Sequence, residues 1–326
     1  MSSLNTQIES LTIGTRGSPL ALWQANHCAD ILRAAHGLAP DHIKIKVLKT
    51  SGDAIKGHLS EFGGKGLFTR ELEEALLDGR IDLAVHSMKD VPTIGHKDLK
   101  IAAILPREDP RDAFICAQGA GARNIAELPK GAVIGTASIR RRAQLSRLRP
   151  DLKFCLLRGN VGTRLAKLSA GECEATLLAY AGLSRLGQAE VITDIIDVQT
   201  MLPAPAQGAV GIEIRRGHVM AEKIAEAADH MQSRLAVTTE RGFLRALDGS
   251  CRTPVAALAE RAGDSLTFRG EVLSKDGVLR FATSGQLDVS GADKEALVQK
   301  ALNFGMALGQ DVRSEIGERI LWDEDG

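Results

Sequence analysis

Leu11-Thr12-Ile13 is a short apolar run that breaks at Gly14-Thr15-Arg16-Gly17. Ser18-Pro19 then opens an apolar-striped segment carrying Leu20, Leu22, Trp23, Cys28, Ile31 and Leu32. Turn glycines, a Ser cap and a Pro in the first turn predict strand, tight turn, helix. Ile43 to Leu48 alternates apolar and basic residues, the period of a strand. Phe68 to Leu77 reads as a helix opened by Gly63-Gly64-Lys65-Gly66, and Ile81 to Val85 as a buried strand ending at His86-Ser87-Met88-Lys89-Asp90. Strands alternating with helices predict an α/β domain on a mainly parallel sheet.

The plan recurs. Ala132-Val133-Ile134-Gly135-Thr136-Ala137-Ser138 repeats the Ile-Gly-Thr of residues 13–15, again with a hydroxyl before a helix. Leu168 to Leu177 echoes Leu76 to Val85. Two α/β domains of related design are expected, joined by crossovers at Pro106–Asp112 and Leu202–Gly208, with Ala209 to Ile214 strand-like after the second. Beyond about residue 230 a further unit is expected. It holds a helix Arg234 to Leu247, strands near Thr267–Leu273 and Leu279–Gly285, and a helix from about Lys294.

Composition narrows the class. At 326 residues the chain exceeds one ordinary core, and 44% hydrophobic with 25% charged residues is the balance of a soluble globular protein. No apolar run approaches the roughly 18 residues a membrane span needs, and MSSLNTQIES lacks the layout of a secretory signal. Five cysteines without a CxxC pair argue against a disulfide framework or a structural zinc site, and eight histidines show no HExxH spacing. No metal is expected, and a reducing cytoplasm is the natural compartment. With no long exposed apolar stripe, a monomer is the default.

Charge matters in its arrangement. Lys+Arg equals Asp+Glu at 41 each and aromatics are 3%, so neither the field nor the stacking surface of a nucleic-acid binder is present. Yet Arg140, Arg141, Arg142, Arg147, Arg149, Arg158, Arg164 and Arg185 crowd one stretch. A solvated helix face accounts for some of these, but Arg158 and Arg164 sit among Gly159 and Gly162. Helix starts with free N–H groups and nearby guanidinium forks suit carboxylates. Arg16 with Ser18 is one such candidate, and Ser138 with Arg140 and Arg141 another. Gly63-Gly64-Lys65-Gly66 lacks Walker spacing and reads better as a lid or hinge. Asp90 falls at the carboxyl end of a strand, where open α/β sheets bind ligands, with Lys89 beside it. Cys251 lies in the polar turn Asp248-Gly249-Ser250-Cys251-Arg252, whereas Cys28, Cys116, Cys155 and Cys173 lie in apolar or helical stretches. A cysteine in a polar turn is the more accessible one, and by itself Cys251 reads either as a chance surface thiol or as a reactive one.

HSMKDVP at 86–92, GGKGLF at 63–68, EDPRDAF at 108–114, LRGNVGTRL at 157–165 and PAPAQGAVGIE at 203–213 together resemble the porphobilinogen deaminase (hydroxymethylbilane synthase) family. The likeness runs in order from about Ile13 to Val255 and is weaker beyond. It implies three α/β domains: 9–105 with 209–226, 111–202 and 231–326. The first two would be built like periplasmic binding proteins around a cleft. It implies a transferase of tetrapyrrole (haem) biosynthesis that condenses four porphobilinogen molecules into hydroxymethylbilane, releasing ammonia at each step. It also implies a dipyrromethane cofactor joined by a thioether to Cys251. By the same correspondence Asp90 is the catalytic carboxylate. Lys89, Ser138, Arg140, Arg141 and Arg164 hold the cofactor's acidic groups, and Arg16, Ser18, Arg158 and Arg185 those of the substrate. The chain departs from the pattern at Ala137, where the family often has Ser, at Glu172-Cys173-Glu174, and at Ala204-Pro205-Ala206, which stiffens the second crossover. The alternative class is a carboxylate-binding solute or effector protein of the same architecture. It would need neither a displayed thiol nor a cleft Asp.

Overall fold

A computed structural model describes residues 10–50, 69–119, 121–247, 253–291 and 293–319. The chain divides into two compact units, Met1–Glu108 with Ala209–Leu235, and Asp109–Gly208 with Ala236–Gly326.

The first unit contains β1 (Leu11–Arg16), α1 (Pro19–His36), β2 (Ile43–Leu48), α2 (Arg70–Leu77), β3 (Leu83–Ser87) and β4 (Leu99–Ile104). The second begins with β5 (Asp112–Cys116), β6 (Val133–Gly135), α3 (Ile139–Leu148), β7 (Lys153–Cys155), α4 (Val161–Ser169), β8 (Ala175–Ala179), α5 (Tyr180–Arg185) and β9 (Asp194–Ile195). The chain then returns to the first unit for β10 (Val210–Arg215) and α6 (Val219–Glu226). From α7 (Met231–Ala246) it passes to β11 (Val255–Ala262), β12 (Ser265–Leu273), β13 (Arg280–Asp288) and α8 (Lys294–Ile316).

The predicted repeat is structural. The first sheet runs β2-β1-β3-β10-β4 and the second β7-β6-β8-β5-β9, the same order with β6 in the place of β1. Gly14 pairs with Ala84 and Gly135 with Thr176, so the two Ile-Gly-Thr stretches occupy one station of the plan. Both glycines are needed for close packing. A Cβ at Gly14 would sit 2.4 Å from Ile81 Cδ1, and one at Gly135 2.6 Å from Cys173 Sγ. The core of the first unit gathers Ile13, Leu32, Leu83, Ile212 and Ile224, while Phe114, Ile134, Leu145 and Leu177 anchor one core of the second.

The α/β class holds, but each sheet is mixed where a mainly parallel one is expected. In the first, β1 pairs parallel with β2 and β3, whereas β10 pairs antiparallel with β3 and β4. In the second, β6 pairs parallel with β7 and β8, and β5 antiparallel with β8 and β9. The antiparallel strand in each sheet is the one next to a crossover, Asp112–Cys116 or Val210–Arg215. A strand entering directly from a crossover needs no βαβ connection and is free to run the other way. Strand β3 also begins two residues later than expected, and β1 continues through Gly14 to Arg16.

The third sheet, β11-β12-β13, is antiparallel. Phe243, Phe268 and Phe304 stack at 5.1 and 6.4 Å between centroids beneath it. Gly242, Gly305 and Gly309 let α7 and α8 cross backbone to backbone, since a Cβ at Gly309 would lie 2.7 Å from the Phe243 carbonyl oxygen. No described helix is long and apolar enough to cross a membrane.

Candidate active site

In the first unit, β1 and β3 run parallel and end side by side. Strand β1 closes on Arg16. Ser18 then caps α1, its Oγ accepting the Ala21 N–H at 3.3 Å, with Pro19 in the first turn. Strand β3 closes on Ser87 and continues into a single 3-10 turn, Met88–Asp90. That turn is pinned from below. Met88 is buried, its N–H bonds the Ala209 carbonyl at 3.0 Å, and its sulfur fills the space a side chain at Gly211 would need. Lys89 and Asp90 are left exposed.

A hollow at this strand end is lined by Arg16, Ala21, Gln24, Thr69, Val85, His86, Ser87 and Asp90. Arg16 and Asp90, two of the residues singled out from the sequence, therefore meet in one place. Its floor is rigid: Gln24 Nε2 donates to Ser87 Oγ at 2.9 Å. Under it buried His86 donates from Nε2 to the equally buried Glu213 Oε2 at 3.0 Å. Ser18 and Lys89 are not among the lining residues. Gln24, Ser87 and Glu213 carry no sequence signal of their own, because their partners are 63 and 127 positions away.

In the second unit, Ser138 occupies the matching cap. Its Oγ accepts the Arg141 N–H at 3.4 Å and its own N–H bonds Thr136 Oγ1 at 3.1 Å. Arg140 and Arg141 follow in the first turn of α3, and both turn inward, each about 5% exposed. Their shared acceptor is Asp112, the first residue of β5. Arg140 Nη2 donates to Asp112 Oδ2 at 2.8 Å, and Arg141 Nη2 to Oδ1 at 2.8 Å. Arg141 Nε also reaches Oδ1 at 3.2 Å, and a third side chain, Gln207, donates to Oδ1 from Nε2 at 2.9 Å. Burial alone would push the Asp112 carboxyl upward, but the two guanidinium groups outweigh it and hold it well below the usual carboxylate range. The same burial works against the Arg140 charge while Asp112 supports it. Arginine stays protonated regardless, so the cluster is cation–anion–cation.

Arg140 and Arg141, expected to face a ligand, thus spend most of their donors inside the protein. Arg141 Nη1 also bonds the Leu177 carbonyl at 2.8 Å, and Arg140 Nη1 that of Leu202 at 2.8 Å. One donor is left over: Arg140 Nε is buried without a hydrogen-bond partner. A buried orphan N–H beside an excess of positive charge is what an anionic group would satisfy. On this observation the residues present fit a carboxylate-bearing cofactor.

The remaining arginines lie nearby in sequence and are half-buried. Arg164 Nε donates to the Gly159 carbonyl at 2.8 Å, and Arg185 Nη2 to that of Gly208 at 2.7 Å. Gly159 has φ +121, and a Cβ there would strike Thr163 at 2.6 Å, so the loop carrying Arg158 requires glycine. Asn160 then caps α4, its Oδ1 accepting the Thr163 N–H at 2.9 Å. Asp112 is the residue that sequence reasoning missed. Its signal was a lone carboxylate opening the apolar strand Asp112–Cys116 in a chain with Arg140-Arg141 unexplained.

Cys251 and the Gly63–Gly66 loop lie outside the described residues. Of the other thiols, burial pushes Cys28 up to about 12 and Cys173 up to about 11. Neither supplies a thiolate at neutral pH.

The model for "Porphobilinogen deaminase, dipyromethane cofactor binding domain" matches residues 11–223, and that for the C-terminal domain of the same family matches 234–316. The chain is 55% identical to the porphobilinogen deaminase of Paracoccus denitrificans over 268 residues, 82% of this chain and 85% of the relative. It is 49% identical to that of Nitrobacter hamburgensis over 309 residues, 94% and 93% of the two chains.

Proposed function

Because the chain belongs to the porphobilinogen deaminase family, we propose that Asp90 is the carboxylate at which its chemistry occurs. We further propose that Arg16 presents the substrate there. The family's reaction is a transferase reaction of tetrapyrrole biosynthesis. Four porphobilinogen molecules are condensed with release of ammonia into hydroxymethylbilane, on a dipyrromethane cofactor. That overall reading agrees with the expectation drawn from the five motifs, and the passive carboxylate binder is not favoured.

The observation that carries the assignment is the hollow in which Arg16 and Asp90 meet at the ends of β1 and β3. Loss of the aminomethyl amine leaves positive charge on the substrate, next to a pyrrole N–H. A fixed carboxylate accepts that N–H and stabilises the charge as it develops, and preorganisation means it need not move to do so. The buried Met88 anchor and the Gln24–Ser87 floor supply the preorganisation. Arg16 offers a guanidinium fork to a substrate carboxylate, and Ser18, the cap of α1 two residues on, would add a polar group toward the substrate. Arg158 and Arg185 take further substrate carboxylates. Lys89, Ser138, Arg140, Arg141 and Arg164 would hold the acidic side chains of the cofactor, attached through the Cys251 sulfur. When bound, the cofactor supplies the carbon nucleophile of a free pyrrole α-position.

The division into 9–105 with 209–226, 111–202 and 231–326 belongs to this reading. So does a monomer working in the cytoplasm on a small-molecule substrate, without nucleic acid or membrane. It is supported by the neutral overall charge with locally gathered arginine. The test is a pair of variants. Intact mass should show a dipyrrole on the wild-type protein and none on Cys251→Ser. Asp90→Asn should keep the fold and the added mass while losing about a hundredfold or more in kcat. Near-normal turnover of Asp90→Asn would refute its role, and an unmodified yet active wild type would refute the attachment.

A further inference from the structure

The Arg140 cluster does not end at Asp112. Arg140 Nη1 donates to Gln144 Oε1 at 2.9 Å, one turn further along α3. Gln144 Nε2 donates in turn to Glu271 Oε1 at 2.8 Å, on β12 of the third sheet. Arg280 Nε closes the chain on Glu271 Oε2 at 2.6 Å. Asp112, Arg140, Gln144 and Glu271 are all at most 6% exposed. Glu271 faces this way because β12 alternates: Phe268, Gly270 and Val272 turn toward the aromatic stack, so Arg269, Glu271 and Leu273 share the other face. The neighbouring strand β11 places Ala256 and Leu258 against Leu202, the residue whose carbonyl accepts from both Arg140 and Gln144.

A buried carboxylate is costly to retain unless each oxygen is satisfied. Here both are, and one is satisfied by an amide whose orientation this contact helps decide. A Gln side chain can point its oxygen or its nitrogen at Arg140. Only the oxygen is an acceptor, and an anion at position 271 demands the nitrogen. Glu271, at 2.8 Å the shorter of the two contacts of Gln144 Nε2 beside the Leu202 carbonyl at 3.1 Å, therefore helps fix Gln144 in the sense that supports Arg140 and holds the guanidinium by its Nη1 end, leaving Nε as the spare donor.

We propose that Glu271 is a positioning residue for the cofactor site, acting through Gln144 to fix the Arg140 guanidinium. It touches neither substrate nor cofactor. The inference rests on the reading of Arg140 as a cofactor ligand, and its test separates the two. Apoprotein made in cells that cannot synthesise porphobilinogen is mixed with porphobilinogen, and the appearance of the dipyrrole mass is followed with time. Folding of each apoprotein is checked by its thermal melt. Arg140→Leu and Glu271→Leu should each slow loading about tenfold, and the double variant should be no slower than Arg140→Leu alone. Glu271→Gln, which keeps an acceptor for Gln144, should load within about twofold of wild type. If Glu271→Leu does not fold, Gln144→Met, which deletes the amide and leaves the charges, carries the same comparison. Wild-type loading by Glu271→Leu or Gln144→Met while Arg140→Leu is slow would overturn the relay. So would multiplicative slowing in the double variant. Wild-type loading by Arg140→Leu would remove the underlying assignment of Arg140, and the relay with it.

Discussion

The two five-stranded sheets share strand order and register yet place their charges in opposite ways. Counting from the Gly14–Ala84 and Gly135–Thr176 pairings, three residues on, Ser87 of β3 corresponds to Ala179 of β8. Their antiparallel partners are then Val210 in the first sheet and Asp112 in the second. Six residues on, Asp90 corresponds to Gly182. The first sheet thus keeps its acid at the exposed strand end and an apolar residue inside. The second buries its acid under two arginines and leaves the strand end bare. On the reading proposed above, one backbone plan serves as a reactive half and as a carboxylate-receiving half, and the two differ in the side chains at equivalent stations. Fold does not assign the role; the residues at the strand ends do.

The sharpest way to break this comparison is to give the second sheet the first sheet's residue. Asp112→Val leaves Arg140 and Arg141 buried without their anion, and removing one partner of a buried ion pair costs about 3–5 kcal/mol. Denaturant unfolding should show a loss of that size, and a loss below about 1 kcal/mol would mean the cluster is not the organising feature of this half. The pH dependence sharpens the point. The folded Asp112 pKa lies below its unfolded value of about 3.9. Its stabilisation is therefore complete above the unfolded pKa and drains away as pH falls through the lower folded one. Below about pH 4 the wild type should lose stability faster than Asp112→Val, narrowing the gap between them.

A smaller effect concerns the buried thiols of both halves. Cys28 on α1 and Cys173 before β8, pushed up to about 12 and about 11, should stay unlabelled by a thiol reagent at pH 8 in the folded protein. In Cys251→Ser any fast-reacting thiol should map to Cys116 or Cys155, which are only partly buried. Rapid labelling of Cys28 or Cys173 would show that these cores open readily. The smallest effect concerns the crossover that returns the chain to the first sheet. Ala206 has φ +61, a left-handed conformation that costs a non-glycine residue roughly 1–2 kcal/mol. It is held there with its N–H on buried Glu240 Oε2 at 2.6 Å. Relief of that strain exceeds the added chain entropy of glycine, so Ala206→Gly should raise stability by about 0.5–1 kcal/mol in the same unfolding assay. A destabilised Ala206→Gly would show that the strain is already compensated locally.

Much of this was legible in the chain. The Ile-Gly-Thr echo gave away the repeated plan because close packing over a sheet leaves no substitute for glycine at residues 14 and 135. The pinned turn at Met88–Asp90 was visible as a strand end followed by charge. The direction of β5 and β10 was not visible, since an apolar strand reads alike either way and its pairing depends on distant partners. Nor was the fate of Arg140 and Arg141. A run of three arginines reads as ligand-binding or solvated, and only Asp112, 28 residues upstream, turns two of them inward.

The sequence by itself determined the class, the repeated α/β design, the family and the residues worth naming. Local propensity, periodicity and motif order are short-range properties and survive in one dimension. The tertiary structure alone decided which of those residues keep company. It set Arg16 with Asp90 in one hollow, Asp112 between two arginines, and Glu271 at the end of a relay to Arg140. Those pairings join positions as much as 127 residues apart. They are chosen by the need to neutralise and hydrogen-bond every charge that folding buries, which no local pattern encodes.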